Sequence, residues 1–400
     1  MRESGVFDVG AVRPLPVAQG ERADDAGGAR ARVSGDGRGA LRTTSARGAV
    51  VLRAGGGADQ GATPLSRGGQ RAPWTWRADG RAERSARGRV HPGGPRFDRP
   101  IPSGGYRWHY VDGVSDDGAF GVVVIALLGS PFSPFYARAR AAGTAPAALD
   151  YAAMNVAVYG PRGSFFSLTE RAVRPGAAQG DAVTIGTSRM RWDRGALVIE
   201  LSDRTSPWGR PLRGTVRLHP EGAPSSARVL DGAGEHLWWP VAPSSSIEVE
   251  LAEPNVRFRG HGYHDANAGD VPLERSFSRW RWARARLDAG TSAMMYDTVD
   301  VDGIDHHLAI AVDRDGLARP IDMPDERPLP RTLWRLPRST RSSGDVRVLR
   351  ELEDTPFYAR ALLESHIEGA PRVTMHEELS CERLRSAWVR FLLGFRMGRQ

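Results

Sequence analysis

The sequence predicts an all-β fold of two packed antiparallel domains, with a Gly/Arg-rich extension before them and an amphipathic helix after them. Three observations carry that expectation. Segments of strand length recur roughly every 8 to 15 residues from residue 96 onward, with turn chemistry between them. Helical period is rare before residue 380. Some fourteen strands over about 280 residues are too many for one small barrel, which argues for two β-domains.

Residues 1–95 hold 19 of the 47 Gly, few aromatics beyond Trp74 and Trp76, and no period of 2 or 3.6. Such a segment cannot bury enough apolar surface to offset its ordering entropy, so disorder is expected. It reads as a dispensable extension or a misassigned start, with a basic tether to an acidic surface as the alternative.

Order is expected from Arg96. Tyr106–Val111 alternates, Asp116-Asp-Gly118 is a turn, and Gly121–Leu128 is a deeply buried strand, which together make a hairpin. Strands follow at 155–159, 165–168, 188–192, 196–201 and 212–218, with a hairpin turn at Trp192-Asp-Arg-Gly195. A second series after Pro243-Ser-Ser-Ser246 covers 247–251, 256–260, 278–282, 293–299, 307–312 and 332–336. The expected division is therefore 1–95, 96–245, 246–378 and 379–400. In the last segment Leu384, Trp388, Phe391, Leu392 and Phe395 recur at helical spacing, with Arg at other positions. That helix either docks on the β-body or lies in an anionic membrane interface.

The chain has no Lys, so all 55 basic residues are Arg, and the net charge is +8. Residues 1–95 carry 16 Arg against 9 acids; the remainder carries 39 against 38. A near-neutral body with a basic tail is not a nucleic-acid-binding domain, so no nucleic-acid partner is expected. The single Cys381 excludes a disulfide framework and a multi-Cys metal site. No apolar run approaches a helical membrane span, and the N-terminus lacks the compact apolar stretch of a signal peptide. A soluble or peripherally attached body is expected.

Dinucleotide, P-loop, His-Glu-x-x-His and Gly-x-Ser-x-Gly patterns are absent. Asp300–Asp305 lacks the register of a calcium loop and reads as a β-turn. His306 and His307 would face opposite ways on a strand, so no metal is expected. Two clusters remain: His236-Leu-Trp-Trp-Pro240, and Gly260–Gly269 followed by Trp280-Arg-Trp282. Alternation places Tyr263 with Asp265, and His236 with Trp238. A carboxylic acid in a dry aromatic pocket keeps its proton, because desolvation disfavours the charged form, and can donate it at neutral pH. The same residues also suit turn chemistry and ordinary β-barrel core.

Gly262-Tyr-His-Asp-Ala-Asn-Ala-Gly269 with Pro272-Leu-Glu, Phe277 and Trp280-Arg-Trp282 resembles the acyclic carotenoid 1,2-hydratase family. Gly104–Gly118, Gly129-Ser-Pro-Phe-Ser-Pro-Phe-Tyr-Ala137 and Asn155–Gly160 fit it too, so the resemblance spans about Arg96 to Phe395. It implies two lipocalin-like barrels and a cofactor-independent hydro-lyase. The reaction would add water across the terminal C1=C2 bond of neurosporene, lycopene or a related acyclic carotenoid. It places functional residues on His236, Trp238, Tyr263 and Asp265, with Trp239, His264, Trp280 and Trp282 expected at the substrate. Asp265 would be the proton donor, its acidity set by His236 or His264, and Trp238 and Tyr263 would turn their rings to the cation. Carotenoid and water are then the partners, and peripheral attachment at the cytoplasmic side of a membrane is expected. A non-catalytic carrier of apolar ligands, and a β-barrel isomerase or cyclase of another isoprenoid, are the rival readings.

Overall fold

The computed structural model describes residues 96–399; the extension expected at 1–95 lies outside them. The first half builds β1 (Tyr106–Ser115), β2 (Gly121–Leu128), β3 (Ala152–Gly160) and β4 (Gly163–Arg171), then β5 (Ala182–Ile185), β6 (Ser188–Asp193), β7 (Ala196–Arg204) and β8 (Pro211–Pro220). The short β9 (Arg228–Val229) precedes two long strands, β10 (His236–Glu253) and β11 (Val256–Gly269). These pair in the order β4-β3-β2-β1-β11-β10-β8-β7-β6-β5, antiparallel throughout. Val124, Val156, Met190, Ile199, Val216 and Val249, from strands far apart in that order, share one buried cluster. The sheet therefore rolls around its own core. Arg194 and Gly195, with φ of 49° and 86°, close the hairpin expected there.

A second sheet takes β12 (Phe277–Arg286), β13 (Ser292–Asp300), β14 (Asp305–Val312) and β15 (Ala318–Pro320). The hairpin β16 (Glu326–Leu329) and β17 (Arg338–Arg341) stands apart, and β18 (Arg347–Asp354), β19 (Tyr358–Ile367) and β20 (Ala370–Ser380) complete the sheet, in the order β15-β14-β13-β12-β20-β19-β18. The all-β expectation holds. The boundary drawn at 245/246 does not: β10 runs through it, and β11 belongs to the first sheet. The ladder from Leu251↔Val256 to His236↔Gly269 keeps both strands together. The chain passes between sheets at the short helix α2 (Leu273–Ser276) instead, α1 (Pro134–Ala141) having followed β2. The strand expected at 332–336 is a turn, in which Thr332 Oγ1 accepts from the Leu336 N–H at 3.1 Å and Arg335 has φ 55°.

Residues alternate strictly across β1 and β11. His109, Val111 and His264 face the core of the first sheet, whereas Tyr106, Tyr110 and Tyr263 face the second sheet. A shared core joins that face to Trp280, Trp282 and Tyr296. Across it, Arg284 Nε donates to both carboxylate oxygens of Asp112 at 3.0 and 2.9 Å, with both side chains buried. Asp112→Ala strands the guanidinium, so urea denaturation is expected to show a loss of about 3–5 kcal/mol. A change below 1 kcal/mol would mean the guanidinium finds water.

The helix expected at 379–400 is two pieces. Ser380 caps α3 (Cys381–Arg385), and Ser386, extended at φ −68° and ψ 141°, separates it from α4 (Ala387–Arg396). Residues 398–399 then return to β4 as a short parallel strand, β21 (Gly398–Arg399). The break resets the helical phase. Leu384, Val389 and Leu393 pack on the shared core, while Trp388, Phe391, Leu392 and Phe395 are 48%, 67%, 37% and 71% exposed.

Candidate active site

A cavity partly open to solvent lies between the inner faces of the two sheets. Trp108, Tyr110, Trp280, Trp282 and Tyr296 wall it, Asp265 and Asn267 enter from β11, and Leu393 and Arg396 of α4 also line it.

Asp265 is the chemical centre of this wall. Its neighbours are set by register, since β11 places it opposite Tyr110 on β1 and Pro240 on β10, with Trp238 opposite Asn267. Its Oδ2 accepts from the Tyr263 hydroxyl at 2.7 Å and from Trp238 Nε1 at 2.8 Å. Its Oδ1 has no hydrogen-bond partner among the described residues. Burial pushes the carboxyl up to about 8, against the two donors, which lower it. The neutral acid therefore outnumbers the anion by about tenfold at pH 7. Because Oδ2 is occupied by two donors, the acid proton sits on Oδ1, the oxygen that no described residue engages.

The other sequence-derived residues divide into five placements. Trp280 and Trp282 line the cavity, stacking edgewise on Tyr296 (5.3 Å) and Tyr110 (5.4 Å) respectively. Trp238 and Tyr263 are fully buried behind Asp265 and hold it; they are not cavity-lining rings. His236 is buried four register positions from Asp265, its Nδ1 at 2.9 Å from the Tyr106 hydroxyl, and burial pushes it down to about 4. Gly269 permits that approach, since a Cβ there would collide with the Tyr106 ring and His236 Nδ1. His264 points away from the cavity, its Nδ1 at 2.8 Å from the Tyr110 carbonyl and its ring 5.7 Å from His109; burial holds it neutral, at about 4. Trp239 is half-buried on the face of β10 opposite Trp238. Neither histidine hydrogen-bonds Asp265, so its raised pKa comes from burial and not from a histidine partner.

Tyr110, Tyr296, Asn267 and a charged group were not singled out by the sequence. Arg360, 1% exposed, reaches Glu377 at 2.8 Å, Glu353 at 3.2 Å and the Tyr159 hydroxyl at 2.8 Å on the cavity wall. Period-2 alternation was the available signal for Tyr110 and Asn267; the ion pairs join separate strands and leave no local trace. Asp231, Glu235 and His236 bring metal-type donor atoms within 4.8 Å of one another. The Asp231 carboxylate, however, already accepts the backbone N–H groups of Glu235 (3.2 Å) and His236 (2.8 Å), which is turn chemistry. At 300–305, Asp300 Oδ1 accepts from the Asp302 and Ile304 N–H groups, the β-turn expected there.

Residues 124–400 match the family model of the carotenoid hydratase CrtC. An acyclic carotenoid 1,2-hydratase of Thiocapsa roseopersicina is 40% identical over 100% of this chain and 99% of its own length. One of Rubrivivax gelatinosus is 42% identical over 97% of each chain. Among solved structures, a Nitrosomonas europaea protein described as AttH superposes with TM-score 0.50 at 14% identity, covering 70% of this chain and 93% of that one, a likeness of fold.

Proposed function

The chain belongs to the carotenoid hydratase CrtC family, and from that premise we propose how its residues add water across the terminal C1=C2 bond of an acyclic carotenoid. The observation that carries the reading is the buried, neutral Asp265, which lines a cavity rich in aromatic rings and whose Oδ1 has no hydrogen-bond partner among the described residues. Protonation of C2 by Asp265 leaves a tertiary cation at C1. Trp280, Trp282 and Tyr296 face the developing charge, each such contact contributing about 2 kcal/mol when desolvated. Water bonds to C1, and the proton it sheds returns to the Asp265 carboxylate, so the acid is restored without a cofactor. Trp238 and Tyr263 stabilise that transient carboxylate through Oδ2.

A carrier of hydrocarbons has no use for a buried acid that costs stability, which favours the lyase. The sign of the titration gives the test. The neutral donor exists below about 8, so kcat/KM is expected to be level through neutral pH and to fall tenfold per unit above about 8. A rate that rises between pH 7 and 9 would contradict an acid donor and point to a base.

The substrate is insoluble in water, and the protein collects it from a lipid surface. The exposed ring pairs Phe391–Phe395 (4.9 Å) and Trp334–Trp388 (6.3 Å) take three of their rings from α4, the helix whose Leu393 and Arg396 line the cavity. Aromatic side chains beside Arg suit an interfacial site. No described helix is long and apolar enough to cross a membrane.

A further inference from the structure

Taking Asp265 as the proton donor, we propose that Asn267 holds the water that captures the cation, with Tyr296 fixing its amide. Asn267 lies two residues beyond Asp265 on β11, hence on the same face and about 6.6 Å along the strand. It is 2% exposed and lines the same cavity. Its Oδ1, like that of Asp265, has no hydrogen-bond partner among the described residues, while its Nδ2 donates to the Tyr296 hydroxyl at 3.4 Å. Tyr296 is itself fixed by edge-on contacts with Trp238 (4.9 Å) and Trp280 (5.3 Å).

Two cavity-lining side chains on one strand face, each with a buried oxygen that no described residue satisfies, divide the addition between them: the Asp265 acid donates and the Asn267 carbonyl accepts. A water that donates a hydrogen to Asn267 Oδ1 keeps both lone pairs available and gains electron density on its oxygen, whereas a water held by a donor gives up one lone pair and is a weaker nucleophile toward C1. The atoms balance. The Asp265 O–H bond breaks as C2–H forms, the water oxygen bonds to C1, and one water proton passes to the Asp265 carboxylate, leaving the hydroxyl on C1. Asn267 is unchanged. Without a held water the cation loses a proton from C2 or from a C1 methyl and returns to alkene. Asn267 therefore sets the partition between hydration and isomerisation, the choice that separates a hydratase from an isoprenoid isomerase on the same acid.

The test supplies lycopene in detergent micelles to the purified full chain in deuterated, ¹⁸O-labelled water, and compares wild type with Asn267→Leu, Asn267→Ser, Tyr296→Phe and Asp265→Asn. Two quantities are read: ¹⁸O in the alcohol, and deuterium in the recovered alkene. Asn267→Leu is expected to lose about tenfold or more of the ¹⁸O product, the scale of one such hydrogen bond, while deuterium exchange persists. Asn267→Ser, which keeps an oxygen acceptor, is expected to recover part of the alcohol. A parallel fall in both quantities, or no fall in either, overturns the assignment. If the Asn267 variants do not fold, Tyr296→Phe is judged by the same ratio. Asp265→Asn is expected to lose exchange and alcohol together; if it keeps exchange, the donor assignment fails, a result distinct from failure at Asn267.

Discussion

Asp265→Asn is expected to lower the hydration rate by at least about 10²-fold, and toward 10⁴-fold, the span of a lost general acid. The amide matches the neutral acid in shape and can still accept from Tyr263 and Trp238, but it has no proton of suitable acidity to give. The same change is expected to stabilise the fold. An acid whose folded pKa is about 8, against an unfolded value near 3.8, binds a proton in the folded state that the unfolded state releases. Wild-type stability therefore falls as pH rises from about 4 to 8, by at most ~1.4 kcal/mol per unit, and levels off above. In the variant that slope is absent. Its melting temperature is expected to match wild type near pH 4 and exceed it increasingly toward pH 8. Inactivity with an unchanged pH–stability curve would mean that Asp265 is ionised in the folded protein.

The second large effect is expected at the exposed face of α4. Replacing Trp388, Phe391 and Phe395 together by Ser removes three half- to two-thirds-exposed rings without touching the docked Val389 and Leu393. Each ring inserted into lipid contributes on the order of 1–2 kcal/mol, so co-sedimentation with anionic liposomes should fall on the order of 100-fold or more. Turnover of detergent-dispersed carotenoid should persist, because the cavity wall is intact. Unchanged liposome binding would make α4 a wall of the cavity and nothing more.

Much of this site is legible in the chain itself, and the reasons are local. Tyr263, Asp265 and Asn267 alternate on a strand whose period is visible, as do His236 and Trp238, so their faces follow from spacing. The acid among aromatics already implies a raised pKa. The chain does not show how strands meet across sheets. Nothing local says that β11 stays with the first sheet, and that placement turns His264 toward His109 and away from the substrate. Nor does helical spacing across 384–395 reveal the extended Ser386, which exchanges the buried and exposed faces of α4. Arg360 with Glu353 and Glu377 is invisible for the same reason, being assembled from three strands.

The central claim is that Asp265 carries its proton on Oδ1 at neutral pH and delivers it to the substrate. Infrared difference spectroscopy of wild type against Asp265→Asn, titrated from pH 6 to 10, reads that proton through the carbonyl stretch of the undissociated acid. The account predicts such a band at pH 7 that disappears with a midpoint near 8, in step with the loss of kcat/KM. A carboxylate already ionised at pH 6, in an enzyme that is active at that pH, would contradict it.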